Sequence, residues 1–229
     1  MEDILELYAE AYDPRRPVVC FDERPYQLLA DARAPLAMKE GRPRREDYEY
    51  RRRGGCNLFV IFQPATGWRH VTVTQRRTSQ DFARQMKWLV DEAFPEAELI
   101  RVVLDNLNTH TPAALYQTFP AEEARRLTRK LAFHYTPRHG SWLNMVEIEL
   151  SVLARQCLNR RLGNIERVRQ EIQAWQVRRD AAAGHGRMAI YYRRGSVQTA
   201  PPVSSIIIVV EYYSVAILGK IRRLKVGKR

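Results

Sequence analysis

The chain has 229 residues, 28% of them charged and 45% hydrophobic, which suits one domain with a real core, or a domain plus an appendage. Thirty-eight Lys and Arg face 26 Asp and Glu, giving a formal charge of +12 and a pI near 10.0; a surface so rich in arginine suits a polyanion, and phosphate above all. The acidic opening "MEDILELYAEAYD" has no apolar signal core, the run "VSSIIIVVEYYSVAILG" is broken by Glu211 and too short for a membrane span, and Cys20, Cys56 and Cys157 match no disulfide or zinc spacing.

After an N-terminal lead-in over residues 1–16, "PVVCFD" reads as a short buried strand ending on Asp22. "GRPRREDYEYRRRGG", residues 41–55, is a charged connection. Its Arg42, Arg44, Arg45, Arg51, Arg52 and Arg53 could follow a phosphate backbone or lie on a solvated loop. "CNLFVIFQP" and "WRHVTVTQ" are strands, and "PATG" between them has turn chemistry, so the two make a hairpin. "TSQDFARQMKWLVDEAF" reads as a helix, capped by Thr78 or Ser79, with Phe82, Met86, Leu89, Val90 and Phe94 at helical spacing. Pro95 ends it. "AELIRVVLDN" is a strand that again runs into an acid, Asp105. Two short helices, a strand "LAFHYTP", a long helix from Ser141 and a second helix after Gly163 complete the pattern. That order predicts an α/β fold with one mixed sheet flanked by helices.

Three acids stand out. Asp22 and Asp105 end strands, and Glu147 lies near the start of the long helix, on what reads as its core-facing stripe. Carboxylates gathered at one sheet edge repel one another, and a hard divalent cation relieves the repulsion. Two Mg²⁺ ions roughly 3.5–4 Å apart activate an attacking oxygen and stabilise a leaving one in phosphodiester chemistry. Singly, each acid reads as well as a turn residue or a solvated side chain.

The strings "FDERPYQLL", "VVLDNLNTH" and "HYTPRHGSWLNMVEIEL" resemble the core of the mariner-superfamily transposases, in their bacterial insertion-sequence branch. The resemblance covers about residues 17–180. It implies an RNase H-like fold and a DDE catalytic triad on Asp22, Asp105 and Glu147, which would be both the catalytic residues and the metal ligands. It implies two Mg²⁺ ions, with Mn²⁺ able to substitute, and DNA as partner, both as transposon ends and as target. A homodimer in the active complex, a bacterial cytoplasm with nucleoid association, and no membrane are the corresponding expectations. Asp105 and Glu147 are separated by 41 residues, a wider interval than in the better-known members. The short helices between them therefore look like an insertion, and Glu149 becomes a rival third acid. Helix geometry opposes the rival, since residues two apart face different directions. His139, Trp142 and Asn144 are candidate DNA contacts; Trp142 reads equally as core packing. His110 and His134 read as structural, His110 through a hydrogen bond to its own loop.

The chain departs from the family twice. Relatives begin with a helix-turn-helix region, whereas only about sixteen residues precede the first strand here. Charge alone would then hold DNA, with little sequence choice. Beyond residue 183 the resemblance stops. A one-base shift turns any codons for Met188–Ala189 into a frame containing TGG, and selected codons elsewhere restore "WRFTT", a family string. Residues 184–229 are thus expected to be an out-of-frame tail, with a genuine edge strand or partner-binding hairpin as the rival. The expectation is a catalytic domain over residues 17–183, weak or inactive alone. A non-catalytic DNA-binding or dimerising remnant and a general RNase H-like nuclease are the alternatives.

Overall fold

The structure, a computed structural model, describes residues 2–183, 188–191 and 209–212. Helix α1 (Glu2–Ala9) leads into strand β1 (Val18–Asp31), followed by β2 (Tyr50–Gln63) and β3 (Trp68–Thr74). Helix α2 (Ser79–Trp88), β4 (Ile100–Leu104), α3 (Pro112–Thr118), α4 (Ala121–Lys130) and β5 (Leu131–Tyr135) come next. Helices α5 (Val146–Leu153) and α6 (Ile165–Ala183) complete the body.

The sheet has the order β3-β2-β1-β4-β5. Strands β1, β2 and β3 form an antiparallel meander, and β4 and β5 add to β1 in parallel. The expected mixed sheet is therefore present. A parallel β4–β5 pair needs a crossover, and α3 and α4 supply it. Ala114, Leu115, Ala124 and Leu127 on these helices are buried in the core. The two helices that looked like an insertion are thus an integral layer.

Alternation along the strands divides the interior into two cores. Val19, Phe21, Phe59, Ile61, Val102 and Leu104 face α2, α3 and α4. Cys20, Leu58, Val60, Phe62 and Val103 face α1, α5 and α6. The central strands are covered on both sides, which explains why "CNLFVIF" and "IRVVL" are near-continuous apolar runs. The capping box at Thr78 and Asp81 starts α2 as expected.

Three elements differ from the sequence reading. Strand β1 does not stop at Asp22; it continues to Asp31 and pairs with the start of β2 as a two-stranded arm. The arm's register shifts between Gln27 and Leu29, opposite Gly54, whose φ of 90° a side chain would strain. The helix expected from Ser141 begins there only as a 3₁₀ turn, Ser141–Leu143, and the α-helix starts at Val146. Finally, β6 (Met188–Tyr191) and β7 (Val209–Tyr212) pair antiparallel with each other. The rest of the tail, on which the frame-shift and hairpin readings fall, lies outside the described residues.

Candidate active site

Asp22 and Asp105 meet because of strand register. Val18, Val19 and Cys20 pair with Arg101, Val102 and Val103 in parallel. The same offset, carried two residues further, sets Asp22 beside Asp105. Alternation then turns Asp22 to the side of Cys20, the face covered by α5, and Asp105 sits just past the end of β4. Glu147 enters from the first turn of α5, and it is exposed.

Asp22, Glu23, Arg24, Glu147, Leu150, Ser151, Ala154 and Arg155 line one open cleft of about 470 Å³. Asp22 registers its neighbours. Burial pushes its carboxyl up, the Glu23 backbone N–H that donates to it at 2.7 Å pulls it down, and the charges of Asp105, Glu23 and Glu147 push it up again. The net result is a pKa of about 7. Asp105 and Glu147, the other two acids foreseen in the sequence, therefore both act on Asp22.

Asn144 ties the two sides together. Its side chain is buried, and its amide donates to the Phe21 carbonyl at 2.8 Å, one residue before Asp22. This holds the start of α5 against β1 and so sets Glu147 opposite Asp22. Asn144 stands behind the acids, away from any surface that DNA could reach. Trp142 is 48% exposed, which removes the core-packing reading for it. His139 is exposed with φ of 62°, a backbone region uncommon outside glycine. It sits in a turn closed by the Gly140 N–H and the Pro137 carbonyl at 2.8 Å. Gly140 is required there, because a Cβ would meet Pro137 Cγ at 2.6 Å.

Glu147 and Glu149 have separate fates. Buried positions on α5 are Val146, Glu149, Leu150 and Leu153, so Glu149 holds the core stripe assigned above to Glu147. Glu149 is fully buried, with Arg69 Nε at 2.7 Å and Arg179 Nη2 at 3.3 Å. Arg69 also meets Asp180 at 3.0 Å. This network locks α5 to β3 and α6, on the far side of the helix stripe from the cleft acids.

Sequence reasoning missed several residues. Arg24 and Arg155 line the cleft and are exposed. Arg24 lies two residues from Asp22 on the same strand face, and Arg155 lies eight from Glu147 on the same helical run, so both were within reach of spacing arguments. Glu23 is buried with its carboxylate 2.7 Å from His110 Nε2, and Arg77 approaches it at 3.4 Å. His110 is also buried, and its Nδ1 lies 2.6 Å from Asp105 Oδ1. Its ring is bonded to its own loop through Asp105, as the sequence suggested, and reaches Glu23 on β1 as well. Burial pushes the His110 ring down, but the hydrogen bonds and charges of Asp105 and Glu23 outweigh it and hold the pKa at about 9.

The six arginines of the connection are all exposed, but not at the cleft. Arg51 and Arg52 pair with Ala30 and Leu29 on the arm. At about 3.3 Å per strand residue, they lie roughly 20–25 Å along β1 from Asp22.

Among the described residues, no three His, Cys, Asp or Glu side chains form a ready-made metal cage. The donor set is nonetheless all oxygen, and the mutual repulsion felt at Asp22 is what a cation would relieve. Mg²⁺ binds through one or two carboxylates and retains waters, so an open acidic cleft fits it.

A mixed sheet of this order carries one acid within β1, one just past the end of the adjacent parallel β4 and a third on a facing helix. The family model described as "DDE superfamily endonuclease" matches residues 17–169. The chain belongs to that family. No curated protein matches it. Among solved structures, the chain is similar to one titled "Crystal structure of the Mos1 Strand Transfer Complex", with a TM-score of 0.53 and 15% identity over 80% of this chain and 56% of that one. It is also similar to "Crystal structure of the Mos1 mariner paired end complex with Mn", with a TM-score of 0.51 and 16% identity over the same shares, 80% and 56%. The match establishes the RNase H-like fold. The chain spans only about 56% of the length of these solved relatives.

Proposed function

We propose that this chain is the catalytic domain of a transposase of the mariner superfamily, in the bacterial insertion-sequence branch, with the domain over residues 17–183. The observation that carries the reading is that Asp22 and Glu147 line one cleft and that the charges of Asp105 and Glu147 both act on Asp22, while the rival acid Glu149 is tied up in the core. The reaction is cleavage of DNA strands at the ends of an insertion element and joining of the freed 3′-hydroxyl to a target. Mg²⁺, or Mn²⁺ in its place, would be held by Asp22, Asp105 and Glu147, two ions in all. Bound there, the ions supply Lewis-acid activation of the attacking oxygen and charge stabilisation of the leaving one.

This chain's own residues orient the reaction. Asp22 and Asp105 are fixed by strand register, and Asn144 holds Glu147 against them. Arg24 and Arg155 at the cleft rim, with exposed Trp142 and His139 beside it in sequence, offer cationic and stacking contacts for a DNA strand. Arg42, Arg44, Arg45 and Arg51 to Arg53 add a basic stripe on the arm for DNA further from the chemistry. The same arm exposes Leu36, Met38 and Tyr48, which supports contact with a second copy of the chain in a dimer. Among the described residues, no helix is long and apolar enough to cross a membrane. We place the protein in the bacterial cytoplasm, on nucleoid DNA, and we read residues 184–229 as an out-of-frame tail that leaves activity weak. The gene's nucleotide sequence tests that last point: "WRFTT" must appear in the shifted frame.

The activity is tested by nicking of supercoiled plasmid in Mn²⁺. Nicking by the wild-type chain that is lost in Asp105→Ala and in chelator is expected. Nicking that survives Asp105→Ala, or a complete lack of nicking by the wild type with avid DNA binding, moves the reading to a non-catalytic DNA-binding remnant. Preference for RNA–DNA hybrids or junctions over plasmid would instead favour a general RNase H-like nuclease.

A further inference from the structure

Glu23 and His110 lie on the opposite sheet face from the cleft helix. Glu23 shares the alternation of Val19 and Phe21, and His110 packs its ring against Phe21 at 5.3 Å and Phe82 at 4.9 Å. Both side chains are about 1% exposed. The His110 backbone is fixed as well. Its N–H donates to the Leu107 carbonyl at 2.9 Å, and its carbonyl accepts from the Tyr135 hydroxyl at 2.8 Å. Held this way, the ring presents Nδ1 to Asp105 and Nε2 to Glu23. Both partners are carboxylates, so each ring nitrogen faces an oxygen acceptor.

We propose that Glu23 and His110 form a positioning pair for Asp105, one that fixes the carboxylate by the hydrogen bond at Nδ1 and leaves its other oxygen for a divalent cation. The inference rests on the reading of Asp105 as a metal ligand. Each member has a separate part. His110 sets the rotamer of Asp105, which otherwise sits just past the end of β4 on a loop. Glu23 holds the ring from its far side, at Nε2, so the pair sets the direction of the bond to Asp105. Groups behind a ligand commonly change metal affinity or activity by about 10–100-fold. Arg77 Nη1 approaches the other oxygen of Glu23 at 3.4 Å as an ion pair.

The test is calorimetric titration of Mn²⁺ into the full chain and its variants, with thermal melts to report folding. Asparagine places its amide nitrogen where imidazole Nδ1 lies, so His110→Asn retains the donor to Asp105, while His110→Ala removes it. Glu23→Gln keeps the shape and removes the charge. Expected are a loss of Mn²⁺ affinity of about 10-fold or more in His110→Ala, its partial rescue in His110→Asn, and a several-fold loss in Glu23→Gln. If His110→Ala fails to fold, the near-isosteric Glu23→Gln carries the test alone. Wild-type Mn²⁺ affinity in a folded His110→Ala or Glu23→Gln, with binding still abolished in Asp105→Ala, overturns the positioning role and leaves the metal site intact. Absence of Mn²⁺ binding in the wild type overturns both.

Discussion

Glu149→Ala is expected to destabilise the protein by about 3–5 kcal/mol, the cost of leaving a buried charge without its partner. Glu149 and Arg69 have side chains only 1% and 3% exposed, and the carboxylate is approached by Arg69 and Arg179 together. Removing it takes the buried carboxylate away from the Arg69 guanidinium in the core, whose ion pair with Asp180 is partly exposed. At about 2–4 °C per kcal/mol for a chain of this size, the melting temperature should fall by roughly 10 °C. Glu147→Ala is the control. Its side chain is exposed, and surface substitutions stay within about 0.5 kcal/mol. Urea unfolding of both variants measures the difference. A Glu149→Ala protein as stable as the wild type would mean that the network is not formed, and Glu149 would return as a contender for the third acid.

Asp22→Asn is expected to stabilise the metal-free protein above neutral pH. The native carboxyl has a pKa of about 7 against an ordinary value of 3.8, so the folded state binds more protons than the unfolded state between those two values. Stability from this group is therefore full below about pH 4 and lost as pH rises through 7. Asparagine has no such loss. The gain should be near zero at pH 4 and on the order of 1–3 kcal/mol at pH 8, below the full value of the shift because water reaches the cleft. Saturating Mg²⁺ should stabilise the wild type and leave Asp22→Asn almost unmoved. A variant less stable than wild type at pH 8 without metal would show that Asp22 is held by partners rather than strained by like charges. Catalytic acids that destabilise their own fold are a familiar cost of activity.

Much of the fold was legible because it is written in apolar periods. The strands at "CNLFVIF", "WRHVTVT" and "IRVVL" and the capped helix α2 follow directly from alternation, helical spacing and the Thr78 signal. The arm was not, because the exposed start of β2 carries no hydrophobic period, and "YRRRGG" read as connection. The break before α5 was hidden because its cause is remote. Asn144 is claimed by the Phe21 carbonyl, 123 residues away in sequence, and no local pattern reveals that.

The site divides the same way. Asp105 and Glu147 were read from positions at element ends that the structure keeps, whereas Asp22, read as a strand end, lies within β1. The burial of Glu149 could have been read from Val146, Leu150 and Leu153, which place it on one stripe with them. Glu23 carried a weaker signal, an acid in phase with Val19 and Phe21 on a two-sided strand. Its partner His110 lies in a different loop, and only the packing of Phe21 and Phe82 around the ring brings them together.

The central claim is that Asp22, Asp105 and Glu147 share a divalent cation. Electron paramagnetic resonance of free Mn²⁺ during titration of the protein tests it most directly, with Glu147→Gln and Asp105→Asn beside the wild type. The account predicts saturable binding by the wild type and a loss of about 10-fold or more in affinity in either variant, with all three chains equally folded. Wild-type affinity in Glu147→Gln, or no saturable binding by the wild-type chain, would contradict it.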